Sequence, residues 1–427
     1  MSGGGLLRGR TMGGAGPLFQ YPHPFFDLAS TYLPPSQRML LSWCRYFFFT
    51  NPLIHTVIFK MAEYPITDVI CDHPSAQVAE GWLAYLQDHL QIRMFQLETG
   101  LDHWCLQGDT PVVTEDGVAP IRDLAGKTVR VLSQGGVYRE AVFKSYGEQP
   151  LWEVHVGGDV LYATAEHRWP VHSAAKGVRW VTTEQLEGQK LLRTVAPRPP
   201  QDDVFWAGFR HGVVYGDGTL YNGGKQGGIV LYSPEKQYLA KYFEGHSSSI
   251  KWNPAHTTLG VYGLPNTHKA LPDTEDPRYW YGFTCGILVT DGCVNNRGEI
   301  VLTQKNPELL EAIRLRLPRF GMVGGKVRQH TTWNNKIKAM ATMTYLALST
   351  AFMQDQDFLR PDQLARFLPT KERRKKGHRP LVTKVQRTER VEEVFCCVEP
   401  ETHSFVVANG LLTGNCYGSA FVSINYP

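Results

Sequence analysis

Cys105-Leu106-Gln107-Gly108-Asp109-Thr110 opens one segment of this chain, and Thr413-Gly414-Asn415-Cys416 closes it. Just upstream of the closing stretch runs His403-Ser404-Phe405-Val406-Val407-Ala408-Asn409-Gly410. The residue types at the two edges are those that backbone rearrangement needs. A thiol at the upstream edge can attack its own preceding carbonyl and turn an amide into a thioester. A thiol one residue past the downstream edge can accept that acyl group. An Asn in the last internal position can cyclise through its side-chain amide and cut the chain behind itself. Thiols suit this work because they are good nucleophiles near neutral pH. A lone Cys is more often a small buried apolar residue, so the two edges carry the reading only together.

Inward from the first edge the chain reads as short strands: Thr110 to Val113, Thr128 to Ser133, Glu140 to Tyr146, Leu151 to Val156 and Val160 to Thr164. Glu115-Asp116-Gly117 and Gln134-Gly135-Gly136 supply turns. Strands resume near Leu381, with Val391 to Val398 and Ser404 to Ala408 joined by the turn Pro400-Glu401-Thr402. The edges and this all-β pattern resemble an intein, a domain that excises itself and ligates its flanks. The resemblance implies the horseshoe-like Hint fold shared with hedgehog autoprocessing domains. It also implies that the first and last strands lie side by side, and that splicing needs no cofactor.

Thr164-Ala165-Glu166-His167 matches the family's Thr-x-x-His. By that resemblance His167 hydrogen-bonds the upstream amide and assists its cleavage, work suited to a group that titrates near neutrality. Thr164 would support the strained amide or its oxyanion. His403 matches the His that assists Asn415 cyclisation, and Cys416 the acceptor thiol. Two departures stand out. Gly414 occupies the position before the terminal Asn, where most inteins carry His, which shifts the burden to His403. Cys396 stands where many carry Asp. Trp169, Cys396 and Thr413 match a linked Trp-Cys-Thr set of one intein subclass, often phage-borne, in which the internal Cys attacks first. Both Cys105 and Cys396 are therefore candidate first nucleophiles.

The strand pattern breaks from about residue 200 to 345, and a repeat takes its place. Trp206-Ala207-Gly208-Phe209-Arg210-His211-Gly212-Val213-Val214-Tyr215-Gly216-Asp217-Gly218 is echoed by Tyr281-Gly282-Phe283-Thr284-Cys285-Gly286-Ile287-Leu288-Val289-Thr290-Asp291-Gly292. After each comes a strand-like stretch and a helical one, and such duplication organises a fold. Gly208, Gly212 and Gly216 recur at helical spacing, as do Gly282, Gly286 and Thr290. Glycine costs roughly 1 kcal/mol at a helix interior position, so these stripes imply two helices in backbone contact. An Asp-Gly closes each motif, which would bring Asp217 and Asp291 together. Paired carboxylates of this kind hold Mg²⁺, which serves phosphodiester cleavage. The alternative for each Asp is a plain helix-end turn.

The two motifs resemble the LAGLIDADG (DOD-type) homing endonucleases in their single-chain form. That family implies two αββαββα halves whose sheets straddle double-stranded DNA, with phosphates giving affinity and base edges specificity. The implied target is the host gene lacking the insert. Lys225 and Lys305 are candidate active-site or phosphate-contacting lysines; each also reads as a surface Lys. Arg314, Arg316, Arg319, Lys326 and Arg328 add basic character. The basic run Thr370 to Arg379 reads as a solvated linker with DNA contact as the alternative.

The expected organisation is multidomain: host flank 1–104, splicing parts 105–199 and 381–415 around an α+β endonuclease at 200–345, a basic linker 346–380, and a downstream flank 416–427 that reads as truncated. Helical patterns span Gln37 to Phe49, Ile54 to Tyr64 and Ala76 to Glu98 of the first flank. The Tyr417 to Val422 run reads as a strand after a turn and, together with Asn51-Pro52-Leu53-Ile54, resembles the N-terminal region of tailed-phage portal proteins, which implies an oligomer in the virion. A chain of 427 residues with 42% hydrophobic and 20% charged residues is ordinary globular protein. Net charge +4 is too small to argue for nucleic acid. The eight cysteines have no metal-ligand spacing, and reduced thiols imply a cytoplasmic setting. Asn51, His55 and Lys60 interrupt the most apolar run, which excludes a spanning helix there. Two rival readings are a decayed nuclease that only binds DNA, and a hedgehog-like autoprocessor that cleaves without ligating; a downstream acceptor thiol argues against the second.

Overall fold

A computed structural model describes residues 38–42, 68–72, 105–173, 177–334, 338–371, 379–415 and 422–425. The chain forms two compact units, one of residues 1–102 with 416–427 and one of residues 103–415. In the first, strands β1 (Arg38–Ser42) and β2 (Asp68–Asp72) pair in parallel, and Val422–Asn425 adds antiparallel to β2. Both sides of the insert thus contribute to one sheet. The helix expected across Gln37 to Phe49 is a strand at Arg38–Ser42. The segment is short and apolar, and periodicity alone does not separate a short helix from a buried strand. The other expected flank helices, and Cys416, lie outside the described residues.

The second unit begins with β3 (Leu106–Gln107), β4 (Pro111–Val113), β5 (Val118–Pro120), β6 (Thr128–Ser133), β7 (Val137–Val156), β8 (Asp159–Ala163), β9 (Arg168–Ser173) and β10 (Gly177–Thr182). Two stretches expected as separate strands are one continuous β7. At its end Gly157 and Gly158 take φ of 59° and 90°, the left-handed pair that a tight two-residue hairpin requires. The chain then enters a helical body. Helix α1 (Asp203–Asp217) leads to β11 (Gly218–Tyr221) and β12 (Gln226–Leu231), then α2 (Pro234–Gln237), β13 (Ser249–Asn253) and β14 (Thr258–Leu264). The arrangement repeats as α3 (Pro277–Asp291), β15 (Gly292–Val294), β16 (Ile300–Gln304), α4 (Pro307–Arg316), β17 (Arg328–Asn334) and β18 (Ala339–Leu348), followed by α5 (Pro361–Lys371). The two four-stranded sheets have corresponding orders, β11-β12-β14-β13 and β15-β16-β18-β17. The sequence repeat is therefore a structural one.

The glycine stripes do what their spacing implies. A Cβ at Gly208, Gly212, Gly282 or Gly286 would lie closer than 3.0 Å to the facing helix's backbone. Both helices start alike: Asp202 caps α1 through the amides of Val204 and Phe205, and Asp276 caps α3 through that of Arg278. Arg278 also reaches Asp202 at 2.9 Å, which ties the two starts together. One apolar core runs from Phe205 to Phe367. The expected linker 346–380 is corrected by this core: β18 extends to Leu348, and Phe358 and Phe367 stack inside it. Helix α5 lies almost wholly before the charge run Thr370 to Arg379, of which residues 372–378 lie outside the described residues.

Strands β19 (Val382–Val398), β20 (Ser404–Val407) and β21 (Leu411–Gly414) return to the all-β part that holds β3 to β10. β19 pairs antiparallel along β7, from Val382 opposite Val156 to Val398 opposite Val142. β3 inserts beside β19, and β20 pairs with both β21 and β4. The expectation that the first and last strands adjoin is corrected: β3 neighbours β19 and β8, while β21 neighbours β20 in a second sheet. The connection between β8 and β9 spans the two.

Gly212→Ala or Gly286→Ala should destabilise the unit by about 1–3 kcal/mol, since a new methyl must displace backbone. Gly325→Ala, whose Cβ would meet only Ala347 O at 3.7 Å, should stay within about 0.5 kcal/mol. Denaturant unfolding of the three variants checks this.

Candidate active sites

The upstream junction is buried. Cys105 is fully inaccessible, as are His167, Trp169, Cys396 and Thr413. The Cys105 amide donates to Thr164 Oγ1 at 3.1 Å, and the Thr164 amide returns a bond to Cys105 O at 3.0 Å. The His167 amide donates to Thr164 O at 3.2 Å. The His167 ring shares a 2.5 Å hydrogen bond between Nε2 and Thr413 Oγ1. Thr413 stands two residues before Asn415. A single turn, Thr164 to His167, thus touches both edges of the segment.

Trp169 orients that turn. Its Nε1 donates to Thr183 Oγ1 at 3.0 Å, Thr183 Oγ1 donates to His167 O at 3.3 Å, and the Trp169 ring meets the imidazole edge-on at 4.8 Å. Leu106 pairs with Phe395 and Gln107 with Val394. Continuing that antiparallel register by one step sets Cys396 opposite Cys105. Cys397 points the other way, and burial, with Cys396 and Glu399 nearby, raises its thiol well above the ordinary range. On that alternation Cys396, and not Cys397, falls on the junction's side of the strand.

At the downstream edge the Asn415 amide donates to His403 O at 3.1 Å, and its Nδ2 donates to Glu399 O at 2.7 Å. Oδ1 is buried and has no hydrogen-bond partner among the described residues. His403 itself sits at φ 54°, a left-handed backbone uncommon for a non-glycine residue. Glu399 is fully buried, and its carboxylate accepts from the amides of Glu401 (2.7 Å) and Thr402 (2.9 Å) and from Thr402 Oγ1 (2.6 Å). It builds the Pro400-Glu401-Thr402 turn that holds its own carbonyl against Asn415. Sequence reasoning passed over Glu399 and Thr183; a Glu closing an apolar strand just before a turn was the available signal. Gly414 has a steric cause. A Cβ there would lie 2.7 Å from Arg168 O and 3.1 Å from the Trp180 ring, so β21 runs too close to β9 for any side chain.

The second candidate site lies at the feet of α1 and α3. A Cβ on Gly216 would fall 2.8 Å from Asp291 Oδ2, which places the ends of the two motifs against each other. Burial and the charge of Asp217 push the Asp291 carboxyl up to about 6. Lys236 Nζ donates to Asp217 Oδ2 (2.5 Å) and to Thr290 O (3.1 Å). Gln304 Nε2 donates to Asp291, and Lys269 Nζ to Tyr215 O at the end of α1 (2.5 Å). The expected lysines are elsewhere: Lys225 is exposed in the β11–β12 turn, and Lys305 is exposed one residue past Gln304. Neighbouring strand residues face opposite ways, so Gln304 faces inward and Lys305 outward. Lys236 escaped notice because it lies outside both motifs.

No cluster of three or more His, Cys, Asp or Glu able to hold a metal occurs among the described residues. Two carboxylates beside helix-end carbonyls nevertheless suit Mg²⁺, which keeps several waters and takes few protein ligands. Burial first and the Asp217 charge second raise the Asp291 carboxyl, and Lys236 Nζ already meets Asp217 and Thr290 O. The two carboxylates are of the type such an ion takes. No described helix is long and apolar enough to cross a membrane.

Residues 281–350 match the family model of the LAGLIDADG-like domain. The match starts within α3 and takes in β15 to β18, so the chain contains a LAGLIDADG-like domain. Among curated proteins, the ribonucleoside-diphosphate reductase large subunit of Invertebrate iridescent virus 6 is 26% identical over 362 residues, covering 75% of this chain. The chain spans 37% of that relative's length. Among solved structures, a variant of the Ssp DnaB mini-intein overlays 73% of this chain and 94% of its own, at 9% identity and a TM-score of 0.25. The N-terminal LAGLIDADG domain of DUF199/WhiA overlays 40% of this chain and 86% of its own, at 14% identity and a TM-score of 0.26. The portal resemblance of the flanks finds no support in these matches.

Two measurements test the geometry. Gly414→His should lower the melting temperature by several degrees through overpacking against Arg168 O. For Asp291, the unfolded carboxyl ionises near 3.8 and the folded one at about 6. The fold therefore retains a proton between those values and loses stability as pH rises through them. Asp291→Asn should melt a few degrees above the wild type at neutral pH, with the gap closing toward pH 4; thermal melts across pH read this directly.

Proposed function

We propose that residues 105–415 excise themselves and ligate their flanks, and that the insert is a site-specific DNA endonuclease. One observation carries the splicing reading. The buried turn Thr164 to His167 holds the Cys105 amide at one end and Thr413, beside Asn415, at the other. In the first step the Cys105 thiol attacks the carbonyl before it; the C–S bond forms, the C–N bond breaks, and the proton lost by sulfur ends on the freed amine. Thr164 holds that nitrogen, and His167 is placed to move the proton. The Cys416 thiol then takes the acyl group from sulfur to sulfur. Asn415 Nδ2 attacks its own backbone carbonyl and releases the amine of Cys416, to which the acyl group passes to make the new peptide bond. Glu399 O orients Nδ2 for that attack. Cys396, opposite Cys105, is the alternative first nucleophile.

For the insert, Asp217 and Asp291 would hold Mg²⁺, which would supply an activated water and stabilise the leaving oxygen of a phosphodiester. Lys236 and Gln304 position the two carboxylates. Support comes from the duplicated sheets, the paired helix feet and the family match over the second repeat. The proposed target is double-stranded DNA across the empty insertion point of the host gene. A second reading, a DNA-binding insert that no longer cuts, is favoured by the ion pair of Lys236 with Asp217, which already neutralises one carboxylate.

Expression with a tag on each flank should yield a free 105–415 fragment and a doubly tagged ligated product by intact mass. Cys416→Ala should leave cleavage without ligation; normal ligation would remove it as acceptor. Cys105→Ala should abolish the hydroxylamine-sensitive thioester, and a thioester surviving there would give the first attack to Cys396. Plasmid cutting with Mg²⁺ should fall at least about a hundredfold in Asp217→Asn; no cutting by the unaltered chain favours the second reading.

A further inference from the structure

The turn Ala408-Asn409-Gly410 leads directly into β21 and hence to Asn415. Asn409 is buried and takes the left-handed conformation, φ 57° and ψ 30°. Its side chain does not simply stabilise its own turn. Oδ1 accepts the Gly324 amide at 3.2 Å, and Nδ2 donates to Asp159 Oδ2 at 3.3 Å. Gly324 belongs to the endonuclease-like body, whereas Asp159 begins β8 of the splicing-type domain. The other oxygen of Asp159 is held by Arg314 of α4 at 2.8 Å. Both side chains of that pair are about nine-tenths buried, at 10% exposure each.

The remaining surroundings come from the same junction. Thr194 N donates to Gly410 O at 2.8 Å and Leu412 N to Leu192 O at 3.0 Å, so the connection through residues 192–194 lines the turn. Val323 lies against Gly410, where an added Cβ would approach its side chain at 3.5 Å. Arg193 is buried beside Asp159, which is its favourable charge partner, while Arg314 is a repulsive one. Removing Arg314 would leave Asp159 and Arg193 to rearrange at the point where Asn409 is anchored. A buried ion pair broken from one side is costly because the remaining charge stays desolvated.

We infer that Arg314 and Asn409 are positioning residues for the downstream cleavage, so that the endonuclease body forms one wall of the splicing domain's Asn415 arm. This rests on the splicing reading above. The path reaches the downstream edge first: Arg314 meets Asp159, Asp159 meets Asn409, and β21 carries the constraint to Asn415. The Cys105 side has further anchors of its own, Thr164 and pairing with β19, and meets β21 through the His167–Thr413 bond. Misplacing a reacting group slows its own step steeply, whereas a general loss of fold slows both.

The test uses the full precursor with tagged flanks. Thiol-induced upstream cleavage reads the thioester step, and Asn-dependent downstream cleavage reads the other. In Arg314→Met and in Asn409→Gly, which keeps the left-handed backbone, downstream cleavage should slow on the order of tenfold or more, with upstream cleavage slowed far less. Arg314→Lys should recover part of the loss. Equal slowing of both steps, or no change in either, would overturn the inference. If the unaltered precursor does not splice, the splicing reading itself fails. Amide exchange then decides on the brace: Arg314→Met should expose residues 408–414 while leaving 105–107 protected, and unchanged exchange at 408–414 refutes it.

Discussion

The pairing of β7 with β19 is the constraint from which the rest of the insert follows. Those strands are separated by the whole endonuclease-like body, yet they lie antiparallel along most of their lengths. A flexible connection of that size would oppose closure through its entropy, though only logarithmically with length. The intervening body lowers that cost by folding on its own core, from Phe205 to Phe367. Arg198, in the outgoing connection, is buried against Asp357 at 2.7 Å, and Tyr281 adds its hydroxyl to the same carboxylate at 2.8 Å. Arg314 pins Asp159, at the hairpin end of β7, from the other side. The insert is therefore clamped into its host domain and does not hang from it by loops.

The residues proposed for the junction were legible in sequence because their pattern is local. A thiol, a Thr-x-x-His and an Asn-Cys pair suggest their roles by type and order. The glycine stripes were equally plain, since glycine at a helix interior is tolerated only for close approach. What stayed hidden depends on tertiary neighbours. Glu399 reads as a surface acid until burial and the Thr402 amide explain it. Asn409 reads as an ordinary turn residue until Gly324 and Asp159 reach it from distant parts of the chain. Lys236 and Gln304 stand outside both motifs, and only the meeting of α1 and α3 brings them to the carboxylates. Helix α5 was lost in the expected linker 346–380, and β7 was divided between Tyr146 and Leu151.

The two candidate sites handle buried polarity in opposite ways. Around Glu399 a carboxylate is satisfied by amides and a hydroxyl, a cage that keeps the charge without a cation. Around Asp291 the carboxylate meets another carboxylate, and the ionised form is disfavoured. The first arrangement makes a rigid turn. The second stores an electrostatic demand, met in part by Lys236, Lys269 and Gln304.

The sheet formed by the flanks has a further consequence. β2 comes from before the insert and Val422–Asn425 from after it, and they share a ladder from Asp68 opposite Asn425 to Cys71 opposite Val422. Severing the covalent path between them would leave the backbone bonds of that ladder in place. The two host pieces would stay noncovalently tethered at high effective concentration, as the fragments of a nicked protein do. Under native conditions, scission without joining would then look like success, and only denaturation would tell the two apart.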